Sequence, residues 1–507
     1  MPGRPNARRL LACAALAWAG TLAAGASPSA ALAADCNQRL FDGAGFEYDF
    51  ETASTNPGAN PPTLADVYGS LRDGGSGGPA GVPPSAVKTN DAWDEWGNVY
   101  VFQPGADLQH PTVADQYDGP PDACSLALGG QELGFPVVSM HGLEVQHRWY
   151  VDPGPLRGAR VLTVLRNPGP APLAVTVLQG DASTHGVLGS GNGTGSRATS
   201  DGSNVFSPAS AWGVTTDGPA TDEDPALAHV WDGAGGAMRV SQVVLGVAKR
   251  PEVLYWDWNL TVPAGGTSAF VSYEIEAAAP GRETAAEVAQ AVEQAEARER
   301  QPLSSLYAGM SAAEIAATMN WPHPNPTTAI APVARANAAA PVRLDGGGSA
   351  GAPGLPQCSP TYSWKADDGA AGSSAQLSHF FAPGRHTATL TVGNDCGGAP
   401  QSAKVSFRVA SALKLLQVRP NRGIGTAALR LRALGPGRLT LSGKGVERQA
   451  KRVKAAGVYS LIVRPTGRAL RSLARRAKAT VKVTVTLRPP AGRPSKLTKT
   501  IVLRRVR

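Results

Sequence analysis

Over much of the chain, apolar and polar residues alternate with a period of two. At 143–151, Leu143, Val145, His147, Trp149 and Val151 share one side, while Glu144, Gln146, Arg148 and Tyr150 share the other. Positions 254–260 repeat the pattern and place Trp256 and Trp258 together on the apolar side. Runs at 160–165 and 173–178 flank Asn167-Pro168-Gly169-Pro170, a strong turn signal. Positions 480–487 alternate without a break, with Val and Leu on one side and Thr and Lys on the other. Short period-two segments bounded by Gly and Pro read as half-buried strands, and many of them in series predict β-sandwiches.

Helical spacing enters only briefly. Thr284 and Glu287 form a capping box ahead of Val288, Ala291, Val292 and Ala295. Ser311 and Glu314 form a second, with Met310 and Ile315 at the staple positions, and Pro322 is the expected stop. A short basic helix is expected near 469–477.

The predicted fold is therefore mainly β, with several sandwiches in series. A large sandwich with trailing helices is expected over 35–321, a Pro- and Ala-rich spacer over 322–341, a small sandwich over 342–410, and a basic β-rich module over 411–507. The Gly- and Pro-rich stretch 53–84 reads as a surface loop.

The N-terminus predicts export. Arg4, Arg8 and Arg9 precede an apolar stretch from Leu10 to about Ala24, and Ala31-Leu32-Ala33 supplies a cleavage site, giving a signal peptide over 1–33. A membrane anchor is the alternative, disfavoured by the Gly and Ala in that stretch. Cys13 is not read as a lipidation site, because too little apolar sequence precedes it. No later segment has the roughly 18 apolar residues of a transmembrane helix.

Four cysteines remain: Cys36, Cys124, Cys358 and Cys396. An even number in an exported chain predicts two disulfides. Pairing Cys36 with Cys124 and Cys358 with Cys396 keeps each bridge inside one proposed module. In the chain-entropy model each is worth about 4–5 kcal/mol.

Charge divides the chain. Residues 411–507 hold 25 Lys and Arg against one acid, Glu447, for a net +24; the whole chain is +9, so residues 1–410 carry −15. A polyanionic partner or a solvated, self-docking surface would both suit such a tail. Tyr459 is its single aromatic residue, which argues against stacking on nucleic acid bases.

Three stretches within 342–410 resemble the PKD domain, an immunoglobulin-like sandwich common on microbial surface proteins. They are Leu344-Asp345-Gly346-Gly347-Gly348-Ser349, the segment 362–369 with Trp364, Asp367, Asp368 and Gly369, and the segment 379–392 opening on His379 and containing Gly384. The resemblance implies a spacer or adhesion module. Lys365, Ala366 and Asp367 depart from the family's signature turn, which puts in question any role for its carboxylates. The N-terminal region is similar to large β-sandwich domains of bacterial surface and matrix proteins. The last module is similar to basic β-modules that end exported proteins of high-GC bacteria.

Candidate chemistry is sparse. Two Gly-x-Ser-x-Gly strings, 74–78 and 347–351, lack the following helix that a nucleophile elbow needs. His141, His147, His185 and His229 could ligate a metal, but His147 shares the apolar side of its strand with Val145 and Trp149, the place of a core histidine. Asp217, Asp222, Glu223 and Asp224 could hold Ca²⁺ through oxygens or form a solvated acidic loop. Trp93 and Trp96, set among acids, could stack on a glycan or fill a core. Three readings follow: a non-enzymatic secreted or cell-surface protein whose basic module holds anionic envelope polymer, a carbohydrate-binding or carbohydrate-active protein using the first sandwich, and an extracellular stalk.

Overall fold

A computed structural model describes residues 32–34, 36, 38–50, 71–73, 93, 97–119, 123–180, 194–216, 226–247, 250–277 and 284–506. The expected signal peptide falls almost wholly outside them. Leu32–Ala34, which overlap its cleavage site, pair with Cys124–Leu126. Much of the expected loop 53–84 is also outside, although Leu71–Asp73 is a strand beside Glu47–Phe50.

The first module packs two antiparallel sheets face to face. The larger runs in the spatial order Leu32–Ala34, Cys124–Ala127, Glu132–Gly134, Leu143–Val151, Ala159–Arg166, Thr267–Ala277, Ala226–Val230, Trp212–Thr216, Gly195–Thr199, with Val138–Met140 added on Leu143–Val151. The smaller runs Gln242–Val247, Arg250–Val262, Leu173–Gly180, Val99–Phe102. Between them lie Val145, Trp149, Val161, Phe270, Val177, Trp256 and Trp258. Leu143–Val151 alternates buried and half-buried along its length, as its period-two pattern requires. The turn at Asn167 carries the chain from the larger sheet to the smaller. Asn167 fixes this corner by donating to the carbonyls of Ala171 and Val262 and accepting from Gly169 N–H.

The larger sheet is covered on its other face by helices α1 (Thr284–Glu299), α2 (Leu303–Leu306) and α3 (Ala312–Ala317). Ala291 and Ala295 of α1 are fully buried against the sheet, with Val288 and Val292 beside them. Two buried arginines hold these helices down. Arg160 donates to the carbonyls of Leu306 and Ala308 and to Glu132. Arg298 donates to Asp152, Gln301 and the carbonyls of Leu156 and Arg157. Such charges are tolerated in a core because carboxylates and carbonyls accept from most of their N–H groups.

The capping box of Ser311 and Glu314 forms at the start of α3, with Met310 and Ile315 buried. That helix ends at Ala317, earlier than the expected stop at Pro322. Backbone bonding by the sheet claims the next residues: Met319 N–H donates to Ala269, and the Asn320 side chain pairs with both N–H and C=O of Val271.

The middle module has one sheet of Ala336–Asn337, Gln401–Ala410, Gly384–Asn394, Pro360–Ala366 and Ala371–Gly372, and a second of Val342–Asp345 with Gln376–His379. The stretch expected as a spacer is bound into this module. Thr327 exchanges backbone hydrogen bonds with Ala350, Ala331 N–H donates to Asp345, and Ala336–Asn337 pair in parallel with Val409–Ala410. Extended Pro-rich chain has unpaired backbone groups, and here neighbouring strands satisfy several of them.

The last module is a sandwich of Leu413–Asn421, Thr426–Ala433, Gly457–Val463 against Gln449–Val453, Gly437–Gly443, Lys478–Arg488, Ser495–Arg504. Helix α4 (Gly467–Arg476) buries Leu473 and leaves Arg468, Arg471, Arg475 and Arg476 exposed. The apolar core of this module runs continuously into that of the middle one, and Ala412 N–H donates to the buried Ser495 hydroxyl at the junction.

Candidate anion-binding face

Both disulfides form as expected, Cys36–Cys124 and Cys358–Cys396. The second sits where the middle module meets the helices, sharing a core with Tyr307, Met310, Trp321 and Leu355. Gln357 donates across the same junction to the carbonyl of Met310.

Other sequence candidates are placed as follows. Trp96, Asp217, Asp222, Glu223, Asp224 and His185 lie outside the described residues. Trp93 is fully buried and packs against Tyr48 at 5.5 Å between ring centroids, so it offers no face to a glycan. Trp256 and Trp258 are core residues, and His147 is buried and accepts from the Trp149 indole. Among the described residues no three His, Cys, Asp or Glu side chains converge as metal ligands. Ser349 of the second Gly-x-Ser-x-Gly string is tied to Ala329 and precedes no helix.

Of a row of polar groups between the sheets, the sequence reading singles out His229 alone, as a candidate metal ligand. Thr215, His229 and Glu274 come from neighbouring strands and are all buried. Thr215 Oγ1 lies 2.9 Å from His229 Nε2, and Glu274 Oε2 lies 2.5 Å from His229 Nδ1. Burial pulls the His229 pKa down to about 3. Burial also pushes Glu274 well above the carboxylate range, with the Trp93 indole acting weakly in the other direction. Neutral imidazole beside a protonated carboxyl makes a chain of uncharged hydrogen bonds closed off from solvent. In it Nδ1 of His229 is hydrogen-bonded to the Glu274 carboxyl and Nε2 to the Thr215 hydroxyl. The order of groups matches that of a hydrolytic triad, but neither the hydroxyl nor the imidazole is open to a substrate. Burial alone also raises Asp257 to about 6, and it outweighs the Val240 N–H and Arg239 in raising Asp232 to about 7.

In the middle module, the two carboxylates of the signature turn each hold a histidine. Asp367 Oδ1 is 3.0 Å from His386 Nδ1, and Asp368 Oδ2 is 3.0 Å from His379 Nε2. Asp367 also accepts from Thr387 N–H, and His386 Nε2 faces the Ala382 carbonyl. Trp364 is buried and donates to Ser374, while Gly369 and Gly384 take positive φ at the two turns. Phe381 packs on both histidines and on Phe407. Through these contacts Asp367 and Asp368 serve the hairpin. Residues 323–409 match the PKD domain family. The match begins well before Val342, in agreement with the pairing of the Pro-rich stretch into the PKD module.

No curated protein matches the chain. Among solved structures, it is similar to a polysaccharide lyase (10% identity, TM-score 0.25, 75% of this chain and 47% of that one). It is also similar to a putative kojibiose phosphorylase from human microbiome (10%, 0.28, 53% and 34%), and to a Ca²⁺-stabilized adhesin of an Antarctic bacterium (14%, 0.18, 82% and 92%). The chain thus spans about half of the lyase and a third of the phosphorylase.

The charge of the basic module is ordered by strand register. Leu439, Leu441, Val483, Val485 and Leu487 point inward and are buried, so their neighbours point out. On the outer face of the four-stranded sheet, Arg438 lies directly opposite Arg452 on one side and Arg488 on the other. Lys478 lies opposite Arg504 on the same sheet. On the outer face of the other sheet, Lys414 lies opposite Arg432. All of these are exposed. The single acid, Glu447, is 3.5 Å from Arg464 and is used there.

Proposed function

We propose that this chain is a non-enzymatic extracellular or cell-surface protein whose basic module holds anionic envelope polymer, with the PKD module setting its distance from the first sandwich. A PKD domain and two disulfides belong to proteins of oxidising compartments, which supports export. Among the described residues no helix is long and apolar enough to cross a membrane. The observation that carries the reading is the cross-strand placement of like charges in the last module. Cations set opposite one another destabilise a sheet by tenths of a kcal/mol per pair, and a bound polyanion turns each such pair into an attraction.

Because the PKD and basic modules share a core, the test uses the full mature chain rather than the tail alone. The chain is titrated with purified anionic wall polymer at rising salt. Binding at low ionic strength that weakens steeply with salt is expected, since bound cations release the polymer's counterions. Failure to bind at low salt would refute the proposal.

A further inference from the structure

We infer that the basic module contains a discrete phosphodiester subsite at the row Arg452–Arg438–Arg488, which recognises the phosphate groups of a polyol-phosphate envelope polymer. This rests on the reading that the module binds polyanions and assigns the site and its chemistry. Three arginines stand in one row across three adjacent strands, about 4.8 Å apart from strand to strand. In the two sheets of this module the other outward rows hold at most two cations, as in Lys414 with Arg432 and Lys478 with Arg504. None of the three side chains makes a hydrogen bond or an ion pair within the described residues, and the single acid of the module is engaged elsewhere. Three unpaired guanidiniums in register repel one another, a cost that packing does not recover because the side chains are exposed.

The row also lines a concavity of about 930 Å³, bounded by Pro436, Lys454, Pro489 and Pro490. Proline walls bring no N–H and hold the rim stiff. A guanidinium fork meets two oxygens of a tetrahedral phosphate at once, where an ammonium presents only a point charge. Three forks within about 10 Å suit successive phosphates of a flexible chain. Single-stranded nucleic acid gains further affinity from aromatic side chains on which its bases stack. The one aromatic of the module, Tyr459, has its hydroxyl bound to the Ala455 carbonyl and Lys451 over its ring.

The experiment compares the full chain with two triple variants of equal charge loss: R438Q/R452Q/R488Q at the row, and K414Q/R430Q/R432Q on the opposite sheet. Probes are poly(glycerol phosphate), polyglutamate of matched charge, and single-stranded DNA, each at low salt. Wild type should prefer poly(glycerol phosphate) to both other polymers. The row variant should lose at least tenfold in affinity for it, and the control variant less than threefold. As a check on folding, Arg438→Thr alone should melt no lower than wild type, because it removes two repulsive pairs and leaves a strand-favouring residue. Equal losses in the two triple variants, or no preference over polyglutamate, would overturn the subsite and leave general polyanion binding standing. Tighter binding of DNA would overturn the polymer assignment. If wild type bound none of the three probes, the underlying reading would fail with it.

Discussion

Replacing Asn320 by Leu should cost the first module about 2–6 kcal/mol, and the number follows from its contacts. Asn320 is fully buried. Its Oδ1 accepts from Val271 N–H at 3.0 Å, and its Nδ2 donates to the carbonyls of Val271 at 2.6 Å and Trp231 at 2.7 Å. Val271 lies beyond the point where Thr267–Ala277 pairs with Ala226–Val230, so the amide replaces a missing strand. In the Leu variant the Val271 carbonyl keeps the Trp321 indole. Val271 N–H and the Trp231 carbonyl lose the partner that Asn320 gave them. Each buried orphan costs about 1–3 kcal/mol. At about 2–4 °C per kcal/mol for a module of this size, the melting temperature should fall by roughly 4–24 °C. Tryptophan fluorescence during thermal and denaturant unfolding reads this out, with Met319→Leu as the comparison. Asn320→Asp should be at least as costly, and its loss should grow above about pH 4, because a buried carboxylate resists ionising. A loss under about 1 kcal/mol in Asn320→Leu would refute the idea that side-chain amides complete this sheet.

Other outcomes follow from the same structure. Trp93→Ala should destabilise the first module by about 3–5 kcal/mol, the usual cost of emptying a large core site, and should leave glycan binding unchanged on an array. The PKD module should be more stable at pH 5 than at pH 9. Burial pulls His386 down, but Asp367 and the Ala382 carbonyl outweigh it and leave its pKa raised, while His386 holds Asp367 below the ordinary range. The pair therefore contributes fully below the ordinary histidine pKa and is lost as pH rises through the raised one. Because Asp367 is half-exposed, the difference should be under about 1 kcal/mol, and His386→Gln should abolish it. Removing the Cys358–Cys396 bridge with serines should lower stability by about 2–4 kcal/mol, read as a denaturant midpoint shift. Non-reducing peptide mapping of the wild type should show Cys36 linked to Cys124 and Cys358 to Cys396; a peptide linking Cys36 to Cys358 would refute that pairing.

Much of this was legible because the sequence carries the physics locally. The alternation at 143–151 and 480–487 appears directly as burial, and the Ser311–Glu314 box forms with its staple. The cysteines pair within modules, where the chain brings them together. The parts that were not legible depend on tertiary neighbours. At 270–276, Phe270, Ser272, Glu274 and Glu276 alternate with Val271, Tyr273 and Ile275, a pattern that suggests one wet face. Helices cover one side and a second sheet the other, so Glu274 is buried and neutral. The composition of 322–341 reads as a spacer, yet nearby strand edges take up its backbone groups. Net charge in the tail was evident from counting, but the row of three arginines exists only through strand register, which the alternation alone does not fix.

The most direct test of the account is a lysine-acetylation footprint of the full chain bound to purified cell-wall polymer at low salt, compared with the free chain. Protection confined to lysines of the last module, Lys451, Lys454 and Lys496 among them, with Lys365 and Lys404 of the PKD module labelled as in the free chain, is the predicted result. Equal labelling of the last module with and without polymer, or protection spread over the first two modules, would contradict it.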